Sequence, residues 1–192
     1  MATVKFRINR ENACSKVAII FIKATPLSNM AISMSANPKI LIMYDSMTGN
    51  TEKLANAVAE GANKVKGITV IVQKAESVDP RSAMTADGYA FGSPTHFSTM
   101  SGRTLSLFTR LYPIRDKMAG KPMAIFTTGA GGQVAALESI ERTIGVFNPI
   151  FVKPGVTVEG GTSEMDRVQA RKLGERLAKA VIHQQRSKVS EY

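Results

Sequence analysis

Three short stretches of the chain concentrate the side chains able to do chemistry. The first, Ser46-Met47-Thr48-Gly49-Asn50-Thr51, groups hydroxyls and an amide around one glycine, just before a helix-forming segment. Hydroxyls and free backbone N–H groups at a helix start form an anion cradle. The loop contains no Lys or Arg, which suits a monophosphate such as FMN held by neutral donors. It lacks the Gly-x-x-x-x-Gly-Lys-Ser/Thr pattern of P-loop nucleotidases and the Gly-x-Gly-x-x-Gly of dinucleotide folds. The same residues also compose an ordinary capped helix start, with Thr48 or Asn50 as N-cap.

The second stretch is Gly92-Ser93-Pro94-Thr95-His96-Phe97-Ser98-Thr99-Met100. Thr95 and the nearby backbone can meet the polar edge of a flavin, Phe97 offers an apolar face, and His96 is a candidate for tuning the pyrimidine edge. A polar turn with Phe97 in the core and His96 free at the surface fits the segment equally well. The third is Thr127-Thr128-Gly129-Ala130-Gly131-Gly132-Gln133. Its glycines permit close backbone approach to a flat ligand, although a flexible loop would need no ligand.

The elements around these stretches alternate. Lys39-Ile40-Leu41-Ile42-Met43-Tyr44 is a nearly continuous apolar run, as a strand buried on both faces reads. A helix follows with Leu54, Val58, Ala62 and Val65 on one stripe, closed by Gly67. Strands are predicted over 68–72, 88–92 and 121–127, with helices over 102–111 and 133–144 and a loop at Asp79-Pro80. A fifth strand is predicted from Ile150-Phe151-Val152 and Val156-Thr157-Val158, kinked at Pro154-Gly155. The last helix starts near Ser163 and buries Val168, Leu173, Leu177 and Val181. Five strands separated by helices imply right-handed crossovers and a parallel sheet covered on both faces. Ligands of such sheets bind beyond the carboxyl ends of the strands. The three stretches fall after strands one, three and four.

Composition narrows the function classes. Cys14 is the only cysteine, so an intrachain disulfide and a Cys-based metal cluster are ruled out, in keeping with a reducing cytoplasm. His96 and His183 are the only histidines, too few for a His-rich metal site. No apolar run approaches the ~20 residues of a membrane span. The net charge is +10, but it is spread out: five basic residues precede residue 38 and seven lie between Arg167 and Lys188. No basic run interleaved with aromatics marks a nucleic-acid surface, so a solvated basic helix face is expected instead.

Residues 1–37 read as an N-terminal extension outside the fold, with the domain spanning 38–190. Lys5, Arg7, Arg10 and Lys16 precede the apolar run Val17 to Ile22, which Lys23 ends without a small-residue cleavage site. A non-catalytic extension, or a start placed upstream of a true initiator at Met34, fits better than a targeting signal.

The chain resembles the WrbA-type NAD(P)H:quinone oxidoreductases, a flavodoxin-like FMN family. The resemblance rests on Tyr44-Asp45-Ser46-Met47-x-Gly49, on Ala57-Val58-Ala59-Glu60-Gly61-Ala62 with Lys64-Val65 and Gly67, and on Gly92-x-Pro94-Thr95-x-Phe97. Met100-Ser101-Gly102, Gly120-Lys121, Gly131-Gly132-Gln133 and Ala170-Arg171-x-x-Gly174-x-Arg176 continue it. It implies an α/β flavodoxin-like sheet of five parallel strands in the order 2-1-3-4-5 with helices on both faces. Ser46 to Thr51 would hold the FMN phosphate; Pro94 to Phe97 and Thr127 to Gly132 would line the ribityl chain and isoalloxazine. It further implies a reductase taking electrons from NADH or NADPH to a quinone or similar acceptor, in an oligomer or with a redox protein partner. The alternative is a flavodoxin-type carrier with no reductase activity of its own. The chain departs from the family in having His96 and Ser98 where Arg and Gly are usual. It has no Trp, and its segment between Gln133 and Ser163 is shorter and lacks the family's His.

Overall fold

A computed structural model describes residues 37–190, with side chains through Ser187. The reading of residues 1–37 as an addition therefore falls, Asn37 apart, outside the described residues. The domain runs β1 (Lys39–Tyr44), α1 (Asn50–Asn63), β2 (Thr69–Lys74), α2 (Pro80–Met84), β3 (Gly88–His96), β4 (Thr99–Met100) and α3 (Gly102–Leu111). It continues α4 (Arg115–Met118), β5 (Pro122–Gly129), α5 (Gln133–Ile144), β6 (Ile150–Phe151), β7 (Val156–Glu159) and α6 (Glu164–Ser190).

The sheet has the order β2-β1-β3-β5-β6, with β7 also on β5 and every one of these pairings parallel. β6 and β7 are two pieces of one edge strand, as the sequence predicts. From Phe151 to Val156 that strand takes five steps where β5 takes three from Met123 to Phe126. The extra residues bulge out around Pro154-Gly155, where a proline costs no ladder bond.

Alternation along each strand divides the core. Ile40 and Ile42 face α1 and α6 with Leu54, Val58, Leu173, Leu177 and Val181. Leu41 and Met43 face the other way, among Phe91, Leu107, Phe108, Ile125 and Ile140. All are essentially excluded from water, each such side chain stabilising the fold by about 1.5–3 kcal/mol. Two glycines let α1 and α6 cross closely. A Cβ on Gly61 would sit 1.9 Å from the Arg171 carbonyl oxygen, and one on Gly174 1.9 Å from that of Val58.

Two expectations need correction. Asp79-Pro80 opens a short helix rather than a loop: Asp79 accepts the Arg81 N–H at 2.9 Å as N-cap, and proline occupies the first helical position, where its missing donor costs nothing. Strand β3 also continues past Gly92 to His96, so Pro94, Thr95 and His96 lie on a strand that turns back as a hairpin into β4.

Candidate functional site

The carboxyl ends of β1, β3 and β5 converge on a cleft of ≈430 Å³ lined by Met47, Thr48, Asn50, Pro94, Thr95, His96, Thr128, Gly129, Ala130 and Gly160. The volume lies within the ~300–1,000 Å³ usual for small-molecule sites. A second groove of ≈370 Å³, between α3 and α5, is lined mainly by the carbon of Leu105, Phe108, Tyr112, Val146 and Phe147; it lacks the convergent polar donors of the first.

The loop from β1 to α1 builds one end of the cleft. Gly49 is the residue before α1, with φ 83°, a left-handed conformation that a side chain would strain. Neither Thr48 nor Asn50 caps the helix, contrary to the capped-start reading: the N-cap residue is Gly49, which has no side chain, and Asn50 instead donates to Thr48 Oγ1 at 3.3 Å. First-turn amides such as those of Asn50 and Thr51 have no helical acceptor, and the Thr48 hydroxyl, which accepts from Asn50, keeps its own proton to donate. Ser46 is not among the lining residues; its Oγ accepts the Glu52 N–H in the first turn of α1 at 3.3 Å and its own proton remains to donate. Thr51 is 1% exposed, and its hydroxyl pairs with that of Thr128 at 2.8 Å.

The Tyr44 hydroxyl donates to Glu52 Oε1 at 2.7 Å, fastening the start of α1 to β1. Burial, reinforced by the Glu52 carboxylate, pushes the Tyr44 phenol up to about 12, so it remains a donor across the neutral range. Asp45, buried at the end of β1, faces Arg103 at 3.5 Å, and Arg103 also reaches Glu76 at 3.7 Å. The cleft lining holds no Asp, Glu, Lys or Arg.

The β3–β4 hairpin forms the second wall. Thr95 pairs with Met100 and His96 with Thr99, leaving Phe97 and Ser98 as the two turn residues. Both have positive φ, 50° and 58°, the primed-turn geometry that usually selects Asn and Gly. Phe97 is fully exposed at 102%. It is neither in the core nor against the cleft lining; it stands at the rim next to His96. The hairpin is held by buried hydroxyls. Ser139 Oγ accepts the Met100 N–H at 3.2 Å, and Ser93 Oγ accepts the Ser101 N–H at 2.9 Å while donating to the Pro94 carbonyl at 2.8 Å.

The β5–α5 loop supplies the floor. Gly129 is required there: a Cβ would lie 2.7 Å from the Thr95 Cβ and 2.9 Å from its Oγ1. Thr127, Gly131 and Gly132 stand outside the lining. Thr127 donates to the Gln133 carbonyl at 2.8 Å, and Gly132 precedes α5 with φ 71° against Ser98. Gly160 is a lining residue that the sequence reading did not name; it follows β7 in a Gly-Gly-Thr turn, and the neighbouring Thr162 donates to the Asn50 carbonyl at 3.2 Å. A glycine pair at the carboxyl end of the strand next to β5 was the signal available for it.

The residues present suit a flavin mononucleotide. Thr95 Oγ1 is buried at the cleft without any protein partner, and buried polar atoms are rarely left so. A flat ligand with polar edges would satisfy it, and the glycine floor admits one. Among the described residues, no group of three or more His, Cys, Asp and Glu side chains is placed to hold a metal ion, and no helix is long and apolar enough to cross a membrane.

Comparison with known proteins agrees. The flavodoxin family model matches residues 42–145. A flavodoxin of Aquifex aeolicus is 30% identical, the match covering 74% of this chain and 86% of that one. An archaeal flavodoxin structure superposes with a TM-score of 0.70 at 23% identity, over 76% of this chain and 99% of its own. A flavodoxin, WrbA-like protein of Agrobacterium tumefaciens gives 0.67 at 25% identity, over 76% and 98%. The chain belongs to the flavodoxin family, a family of FMN-binding electron-transfer proteins.

Proposed function

We propose that the protein is an electron carrier: it holds one FMN in this cleft and exchanges electrons with redox proteins, without reductase activity of its own. The observation that carries this reading is how the chain between α5 and α6 is used. Residues 145–163 form only a 3₁₀ turn, the split edge strand and the Gly160 turn, leaving no separate insertion to wall a nicotinamide or quinone over the cleft. The relatives named flavodoxin support the same reading.

In this account the hydroxyls of Ser46, Thr48 and Thr51, the Asn50 side chain and the first-turn amides of α1 hold the phosphate. The end of the helix dipole supplies the positive potential that a Lys or Arg would otherwise give. Pro94, Thr95 and the segment Thr128-Gly129-Ala130 line the ribityl chain and ring, with Gly131 and Gly132 shaping that loop from behind. Bound FMN supplies the redox chemistry, since the ring can take up electrons singly or in pairs. His96 lies at one edge, where its protonated form would favour a negatively charged ring. Exposed Phe97 and Met47 mark an apolar rim for a protein partner.

Part of the positive charge among the described residues lies away from this rim. Lys64 and Lys66 follow α1, Lys117 sits in α4, Arg142 is near the end of α5 and Arg186 near that of α6. Cations there complement helix C-termini, at the end of the parallel strands opposite the cleft.

The NAD(P)H:quinone oxidoreductase reading retains one support, the likeness to the WrbA-like protein of Agrobacterium tumefaciens. NADH or NADPH oxidation by the FMN-loaded protein with a quinone acceptor separates the two. A carrier leaves the rate at background, whereas sustained turnover with either nucleotide would establish the reductase and overturn the carrier.

A further inference from the structure

Thr51 and Thr128 are 77 residues apart in the chain, yet their hydroxyl oxygens stand 2.8 Å apart in the interior. Thr51 belongs to the first turn of α1 and Thr128 to the end of β5. Of the pair, only Thr128 lines the cleft. Each hydroxyl carries one proton, so within the pair one donates and the other accepts. A phosphate dianion offers acceptors only, so a hydroxyl that binds it must donate. If Thr51 gave its proton to Thr128, it would have none for phosphate.

We propose that Thr128 is a positioning residue for the phosphate loop: its hydroxyl donates to Thr51 Oγ1 and so commits the Thr51 proton to the phosphate of the flavin. The proposal rests on reading the β1–α1 loop as the phosphate site. Two hydroxyls in series, ending on an anion, polarise one another in the dry interior. Without Thr128, nothing fixes the Thr51 hydroxyl rotor, and it is free to bond a nearby backbone group instead of the phosphate. Thr128 thus adds this role to the contact with the cleft that it shares with Gly129 and Ala130. Serine can replace it in this role; valine, of nearly the same shape, cannot.

Riboflavin, which lacks the phosphate, isolates the effect. The full-length chain, freed of flavin, is titrated with FMN and with riboflavin, and binding is followed by quenching of flavin fluorescence. Thr128→Val should weaken FMN at least about fivefold more than it weakens riboflavin, whose loss reads the contact of Thr128 with the cleft alone. Thr128→Ser should bind FMN as the parent does. In the ratio of FMN to riboflavin affinity, Thr51→Val combined with Thr128→Val should lose no more than Thr51→Val alone. Unchanged FMN affinity in Thr128→Val, equal losses for both flavins, a Thr128→Ser variant as weak as Thr128→Val, or additive losses in the double variant would each overturn the positioning role. If Thr51→Val itself leaves the preference for FMN over riboflavin intact, the phosphate-loop reading falls as well, a result distinct from failure of Thr128 alone.

Discussion

The β1–α1 loop and the β3–β4 hairpin face each other across the cleft, and different forces hold them. The loop is seated from below: α1 is locked on α6 by backbone contact through Gly61 and Gly174, and its first turn is tied to β1 by Tyr44 and to β5 by Thr128. The hairpin is seated from the side, by the buried hydroxyls of Ser93 and Ser139, and it carries two turn residues at positive φ. One wall is therefore bound to global stability. The other stores local strain, of the order of 1–3 kcal/mol per residue, which the fold tolerates where a side chain must be displayed. The difference teaches that the proposed phosphate grip is seated in the packed core, whereas the aromatic rim rests on a strained turn.

Damage to the seat should show the contrast most strongly. Gly174→Val drives a branched side chain into the Val58 carbonyl, so it should cost about 3 kcal/mol or more in urea unfolding. A loss below about 1 kcal/mol would mean that α1 and α6 are free to separate. On the hairpin, Phe97→Ala should behave in the opposite way: stability unchanged within about 0.5 kcal/mol, because the ring is fully exposed, but FMN bound about tenfold more weakly if Phe97 folds over the ring. An unchanged affinity would confine Phe97 to partner docking. Ser98→Gly should raise the urea midpoint by about 1 kcal/mol equivalent, by relieving the left-handed backbone. A loss of stability would show that the Ser98 side chain contributes more than its φ costs.

The smallest effect concerns pH. The Tyr44 phenol is raised from 10.0 to about 12 in the fold, and Tyr89 is raised further, chiefly by burial and then by Asp87. A raised phenol favours the folded, protonated form. Its contribution is complete below pH 10 and is lost as the pH climbs through the folded value. Unfolding curves should therefore show stability falling between pH 10 and 12, and Tyr44→Phe should flatten part of that fall. An identical slope in the variant would remove Tyr44 from the account.

Much of this architecture is legible in the sequence where burial imposes a period. The run at Lys39–Tyr44, the helix at Gly102–Leu111 and the kinked edge strand follow directly from their patterns. The hairpin does not, because Phe97-Ser98 lacks the Asn-Gly chemistry that announces such a turn, and the pairing of Thr95 with Met100 is tertiary information. Gly61 and Gly174 stand out as motif residues, but nothing local reveals that each faces a carbonyl of the other helix. The Thr51–Thr128 pair is hidden for the same reason: contacts across the sheet leave no mark in either segment alone. That the three loops meet follows from the strand order, while which of their residues line the cleft is decided by tertiary contacts.

The grip on the phosphate is the central claim, and a comparison of flavins tests it most directly. Flavin-free protein should bind FMN at least about a hundredfold more tightly than riboflavin, since several charge-assisted hydrogen bonds are at stake. Thr48→Ala combined with Thr51→Ala should erase most of that ratio. Equal affinities in the parent, or a ratio untouched by the double substitution, would contradict the account.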